Sequence, residues 1–201
     1  MTLGQRFARV VTDVLVRWPR LWPLFRPVLR REFDRLAPTW AGIRLPDSFA
    51  PYVAALERID GSVGRALDVG TGTGSGAKEI AARFPEAEVV GVDVAPRMLD
   101  EARKAAPELT FVEGDASRLP FGDAEFDLVA HGNMIPFLDE TKRVLRPGGW
   151  ALYAFSSGDQ TPIYVAPERL RRELERRGFT DFAAISAGRG NAVLARRGET
   201  D

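Results

Sequence analysis

Ala66-Leu67-Asp68-Val69-Gly70-Thr71-Gly72-Thr73-Gly74 is an apolar strand that ends in an acid and runs straight into three alternating glycines. Glycine accepts positive φ freely and has no Cβ to hold a ligand away, so three in five positions mark a turn that brings bare backbone against a bound molecule. From Ser75 to Phe84, Ala77, Ile80, Ala81 and Phe84 recur at helical spacing. The loop therefore opens a helix whose amide N–H groups face the same ligand. Strand, glycine loop and helix form the first unit of a nucleotide-binding α/β sheet. The glycines alone do not choose the nucleotide: Gly70, Gly72 and Ser75 also fit the dinucleotide fingerprint, with Ser75 an imperfect third member.

Outward from this unit, β-rich apolar segments alternate with helical ones. Strands are predicted at 65–69, 88–92, 109–112, 126–130 and 150–156, with helices at 75–84, 96–106, 135–145 and 167–177. Two last strands near 180–187 and 191–196 are joined by Gly188-Arg189-Gly190-Asn191, too short for a crossover helix, so they pair antiparallel as a hairpin. Pro96 and Pro167 sit at expected first helical positions, and Arg146-Pro147-Gly148-Gly149 stops a helix before a strand. The expectation is a doubly wound α/β fold: a mostly parallel seven-stranded sheet with an antiparallel last strand, over residues 61–197, behind a helical N-terminal extension over residues 1–60.

Composition narrows the chemistry. Twenty-eight Lys and Arg balance 28 Asp and Glu over 201 residues, which gives no whole-chain basic excess to recruit nucleic acid. With no cysteine and one histidine, thiolate metal sites and cysteine nucleophiles are excluded and a histidine-based metal site is not expected. The chemistry is expected from a bound cofactor acting on a small molecule. No apolar run reaches the roughly 20 residues of a membrane span, and no leader pattern precedes the first helix, so the expected location is cytoplasmic.

The first 60 residues differ in character. Phe7, Val10, Val11, Val14 and Leu15 form a helical stripe, and Trp18-Pro19-Arg20-Leu21-Trp22-Pro23 breaks it. Residues 1–31 hold seven arginines (6, 9, 17, 20, 26, 30 and 31) against Asp13, a net of +6. This segment reads in three ways: a lid that uses Trp18, Trp22, Phe25, Trp40 and Phe49 to shield a cofactor, a helical pair packed on the sheet edge, or, through residues 1–35, a helix at an anionic membrane surface.

The second strand ends in Asp93, where a carboxylate can accept hydrogen bonds from both hydroxyls of a ribose at the glycine loop; capping of the following helix is the plainer role. Met98, on that helix, reads either as an adenine neighbour or as core. Further on come Gly114-Asp115-Ala116 and Leu119-Pro120-Phe121, then Phe126-Asp127-Leu128-Val129 and Arg143-Val144-Leu145-Arg146-Pro147-Gly148-Gly149. Taken with Leu67–Gly74 and Gly91-Val92-Asp93, in order over residues 61–197, these resemble the class I S-adenosylmethionine-dependent methyltransferases, in particular their small-molecule group.

The resemblance implies S-adenosyl-L-methionine as cofactor. Asp93 would hold the ribose hydroxyls, with Val94 beside it. Asp115 would accept from the adenine amino group, and the Ala116 N–H would meet a ring nitrogen. Gly70, Thr71 and Gly72 would contact the methionine part, with Asp68 near its ammonium or ordering the loop. His131, in Ala130-His131-Gly132-Asn133-Met134, falls where the family places residues against the methyl donor; it stays open between cofactor contact, general base and packing. No catalytic residue is assigned, because in-line transfer from a sulfonium neutralises charge and alignment supplies much of the rate. Only about ten residues, Ser157 to Ala166, stand where relatives often insert a substrate cover, so something else must roof the acceptor. The implied activity is methyl transfer to a small acceptor, lipophilic acceptors among the candidates, with no nucleic-acid partner. Two rivals stand beside it: an NAD(P)-dependent oxidoreductase, whose fingerprint spacing Gly70, Gly72 and Asp93 also satisfy, and a binding module that holds the cofactor without turnover, suggested by the short 157–166 stretch.

Overall fold

A computed structural model describes residues 3–40 and 47–199. Seven strands form one sheet in the order β3-β2-β1-β4-β5-β7-β6: β1 Arg65–Val69, β2 Glu88–Asp93, β3 Thr110–Glu113, β4 Phe126–Gly132, β5 Leu145–Phe155, β6 Phe179–Ala187 and β7 Gly190–Arg197. The first five run parallel, and β7 enters antiparallel between β5 and β6. The hairpin expected from the four-residue connection is present. Its second strand, not its first, joins the sheet.

Seven helices are described: α1 Leu3–Arg17, α2 Trp22–Leu36, α3 Ala50–Leu56, α4 Ser75–Arg83, α5 Pro96–Ala105, α6 Leu138–Val144 and α7 Pro167–Glu175. Strand alternation divides the core. Ala66, Leu128, Ala130 and Leu152 pack under α3, α4 and α5, while Leu67, Val69, Val129 and Tyr153 pack under α6 and α7. With both faces covered, the central strands read as unbroken apolar runs. Pro96 and Pro167 occupy the first turns of α5 and α7 as expected.

The expected helix over 135–145 begins only at Leu138. Pro136 disfavours helical geometry at Ile135, and Ile135 and Phe137 pack instead with Val11, Leu15 and Trp22 of the N-terminal helices. Its end also comes early, because Leu145 pairs with Phe126 and starts β5 five residues before the expected strand. In α1, Val11 and Leu15 are buried and Val10 is exposed; the side chain of Phe7 lies outside the described residues. Among the described residues no helix is long and apolar enough to cross a membrane.

Gly190, where β7 leaves the hairpin, lies against the end of β5: a Cβ there would stand 2.2 Å from the Phe155 carbonyl oxygen and 2.8 Å from Ser156 backbone atoms. Backbone cannot rotate aside as a side chain can. Gly190→Ala is therefore expected to cost about 3 kcal/mol, seen as a fall of roughly 6–12 °C in the melting midpoint. An unchanged midpoint would show that the hairpin is free to shift.

Candidate active site

The sheet turns over between β1 and β4, whose following connections leave in opposite directions, and a crevice opens at the carboxyl ends of such strands. The glycine loop sits in it. Gly70, Gly72 and Gly74 adopt φ of +67°, +55° and +81°, a region side chains rarely enter. The N–H groups of Gly70 and Thr71 both donate to the Val92 carbonyl (2.8 and 3.0 Å), so the loop is clasped to the end of β2. Met134, after β4, reaches across it: a Cβ on Gly70 would meet Met134 Sδ at 2.6 Å.

Three carboxylates lie near the ends of β1, β2 and β3: Asp68 one residue before the end of β1, Asp93 at the end of β2, and Asp115 two residues past β3. Asp68 is buried beneath the loop, where it accepts from Tyr52 Oη (3.0 Å), Thr71 Oγ1 (2.6 Å) and the Ala77 N–H that opens α4. Burial pushes its pKa up to about 6, against the downward pull of those hydrogen bonds. Asp93 accepts from the Gly72 N–H (2.8 Å) through one oxygen and the Ala95 N–H (2.9 Å) through the other. Burial raises its pKa; the bonds from Ala95, Gly72 and Val94 only partly offset this. Asp93 thus tethers the loop to the entry of α5, whose N-cap is Ala95 and carries no side-chain cap bond. Val94 is half-buried beside it.

Asp115 is engaged from the N-terminal extension. Trp22 Nε1–H donates to its Oδ1 (2.8 Å), the Arg26 guanidinium pairs with its Oδ2 (2.8 Å), and Ser117 donates through both N–H and Oγ. Burial pushes the carboxyl up, but the bonds from Arg26, Ser117 and Trp22 outweigh it and hold the pKa below the usual carboxylate range. Ala116 packs against the cluster formed by Val11, Leu15, Trp22, Ile135 and Phe137.

The extension covers this edge of the sheet. Arg30 of α2 pairs with Glu113 (2.9 Å), Asp34 accepts the Arg97 N–H at the start of α5 (3.0 Å), and Arg9 of α1 grips the carbonyls of Asp159 and Thr161 (2.6 and 2.7 Å) in the short β5–α7 connection. Met98 is buried under Ala37, Phe33 and Trp40, and Trp40 Nε1 lies 3.8 Å from where a Gly72 Cβ would be. Of the five aromatics weighed as a lid, Trp22, Phe25 and Trp40 line this cover. Phe49 packs on Tyr52 (5.5 Å between rings), and Trp18 points outward.

The structure therefore brings Asp68, Gly70, Thr71, Gly72, Asp93, Val94, Met98, Asp115 and Ala116 to one edge, and takes His131 away from it. Alternation along β4 turns His131 to the α6 face, where it is 2% exposed, stacks on Tyr153 (4.5 Å, 4°) and meets Thr141 Oγ1 at 3.1 Å. Burial pushes its pKa down to about 3, so the ring is neutral at physiological pH. Its reading as a cofactor contact is corrected to a packing residue, while Met134, three positions on, lies against Gly70. Tyr52, Arg26, Asp34 and Met134 carry no motif of their own, and only long-range contacts reveal them; the cluster of tryptophan with arginine was the one signal for the extension.

Residues 66–149 match the family profile described as "Methyltransferase domain". That stretch is a methyltransferase domain, on the fold of the class I methyltransferases. This methyltransferase domain is 48% identical over 107 residues to a demethylmenaquinone methyltransferase of Deinococcus radiodurans, covering 48% of this chain and 44% of that protein. It is 39% identical over 124 residues to a fatty-acid O-methyltransferase of Mycolicibacterium smegmatis, covering 57% and 43%. The chain spans about half the length of such curated relatives. The fold is shared with the solved structure of a SAM dependent methyltransferase from Aquifex aeolicus, at a TM-score of 0.67 and 17% identity over 80% of this chain and 97% of that one.

Proposed function

We propose that this chain is a methyltransferase that carries a methyl group from S-adenosylmethionine to a small, apolar acceptor. The observation that carries the reading is the glycine loop at the switch point, with Asp93 at the end of β2 and Asp115 two residues past β3. A pure-acceptor group beside the loop suits ribose hydroxyls, and a second, one strand further out, suits the adenine amino group. The antiparallel β7 within the sheet supports this reading over a dinucleotide oxidoreductase.

The bound cofactor supplies an electrophilic methyl on a sulfonium. The residues of this chain bind and align: Asp93 and Asp115 fix the nucleoside, the Gly70–Gly72 backbone receives the amino-acid part, and Asp68 sets the loop from below. Met134, Phe137, Trp22 and Phe25 pack as an apolar cluster at this edge of the sheet, and such surroundings, with relatives named for demethylmenaquinone and fatty-acid methylation, support an apolar acceptor. His131 is not assigned as a base.

Calorimetric titration of the full chain with S-adenosylmethionine, S-adenosylhomocysteine and NADH tests the reading. Micromolar binding of the first two and none of NADH is expected; NADH binding alone would overturn it. Transfer of a labelled methyl group to an apolar acceptor from a panel of quinol precursors and fatty acids then excludes a module without turnover.

The pH dependence follows from Asp68. Its carboxyl takes a proton as pH falls through about 6, which removes the charge that favours the cofactor's ammonium. Affinity is expected to be flat above pH 7 and to fall by up to about tenfold per unit below pH 6, and Asp68→Asn should flatten that profile. Stability runs the other way. The folded pKa lies above the ordinary 3.8, so the native state binds more protons between about 3.8 and 6, and this group stabilises the fold as pH falls through that window. Affinity that is level from pH 7 to 5 in the wild type would remove Asp68 from the site.

A further inference from the structure

The large apolar side chains that stand in solvent among the described residues all fall within residues 10–28: Val10, Trp18, Leu21, Leu24 and Val28. Leu24 and Val28 are 71% and 65% exposed. The inner face of α2 is apolar as well, through Trp22, Phe25, Leu29 and Phe33. A helix apolar on both faces is normally covered on both. On the outer face, Leu21, Leu24 and Val28 follow one another at three and four residues, so they form a single stripe.

Arginines bracket that stripe. Arg17 and Arg20 lie at its start and Arg31 one turn beyond Val28, and none of the three forms an ion pair among the described residues. The acids nearby are already engaged: Asp13 by Arg169, Glu32 by Arg35, and Asp34 by the Arg97 N–H. The Arg17 guanidinium lies over the Trp18 ring, 5.5 Å from its centroid, and both border a cleft whose other charged groups, Arg169, Arg176 and Arg177 with Asp139 and Glu173, are engaged in ion pairs. Leucine and valine between unpaired arginines, with a tryptophan at the edge, match the make-up of a helix that lies flat in a bilayer interface.

We propose that the outer face of α2 docks on an anionic lipid bilayer. Leu21, Leu24 and Val28 enter the acyl boundary, and Arg17, Arg20 and Arg31 meet the headgroup phosphates. Charge disfavours a second copy of the chain as the occupant, since pairing two such faces would oppose unpaired arginines with no free acid between them. The docking does not depend on the proposed methyl transfer. If that reading also holds, the helix that holds Asp115 on its inner side sets the cofactor cleft at the lipid surface, where apolar acceptors dissolve.

The test is flotation of the full chain, without cofactor, with vesicles of phosphatidylcholine and with vesicles carrying 30% phosphatidylglycerol. Binding to the anionic vesicles is expected to weaken about fivefold for each of Arg20→Ala and Arg31→Ala, and at least about tenfold for Leu24→Ser/Val28→Ser. Melting curves and S-adenosylmethionine titrations confirm that these surface variants fold. Three results would overturn the proposal: no flotation with anionic vesicles, equal flotation of the Leu24→Ser/Val28→Ser variant, or a dimer in sedimentation that this variant disperses while lipid leaves it intact. Because vesicle binding is read without cofactor, its failure is distinguishable from failure of the methyltransferase reading.

Discussion

Asp93→Ala is expected to weaken S-adenosylmethionine binding by at least about a hundredfold. Each hydrogen bond from a ligand hydroxyl to a carboxylate is worth about 1.5–3 kcal/mol, and the acid at the tip of β2 is placed to receive two. The same carboxylate holds the Gly72 and Ala95 N–H groups in the free protein, so part of the loss comes from a loosened loop. Asp93→Asn keeps one acceptor oxygen but loses the charge and turns an amide NH2 toward one of those two backbone donors, so it should fall between wild type and alanine in both affinity and melting temperature. Calorimetric titration gives the affinities, and unligated melting curves give the structural share. Wild-type affinity in Asp93→Ala would show that the nucleoside binds elsewhere.

The second large effect is expected from Trp22→Ala. The indole is buried, packs edge-on to Phe137 with ring centroids 5.3 Å apart, and donates to Asp115. Truncation of a buried tryptophan costs about 3–5 kcal/mol. That cost falls on the small cluster joining α1 and α2 to the sheet edge, because neither large cluster of the sheet includes Trp22. Loss should therefore be local: limited proteolysis would cut the first 36 residues away readily, while the melting of the domain changes little.

The functional outcome distinguishes a lid from a brace. Trp22 and Arg26 occupy the acceptor oxygens that adenine would need, so their release leaves cofactor affinity unchanged or tighter. Turnover, which needs a dry acceptor space, should fall at least about tenfold. An equal loss of affinity and turnover would make the extension a structural brace and end the lid reading.

The legible part of this protein lay in local pattern. Period-two and period-3.6 spacing identify strands and helices because each depends on a few neighbouring residues. Gly70, Gly72 and Gly74 declare a loop since only glycine takes those φ values without strain. Asp93 is readable as a strand-tip acid because an apolar run fixes which residue stands at its end, whereas the part given to Asp115, two residues past β3, came from the resemblance. The four-residue link from Gly188 to Asn191 leaves the last two strands no choice but a hairpin.

His131 shows where local pattern stops. It lies at the correct strand end, yet strand alternation turns it to one sheet face or the other according to pairing with β1 and β5, and only the assembled sheet decides that it stacks on Tyr153 inside the core. The late start of α6 is similar, since Ile135 and Phe137 answer to Val11 and Trp22, more than a hundred residues away.

By itself the sequence determined the βα alternation, the glycine loop, the acids around it and the terminal hairpin, all set by interactions within a few residues. Tertiary structure alone decided the insertion of β7 between β5 and β6, the inward turn of His131, and the grip of Trp22 and Arg26 on Asp115. Those contacts join residues 89 and 93 positions apart, and an amphipathic pattern states that a face must be buried without stating against what.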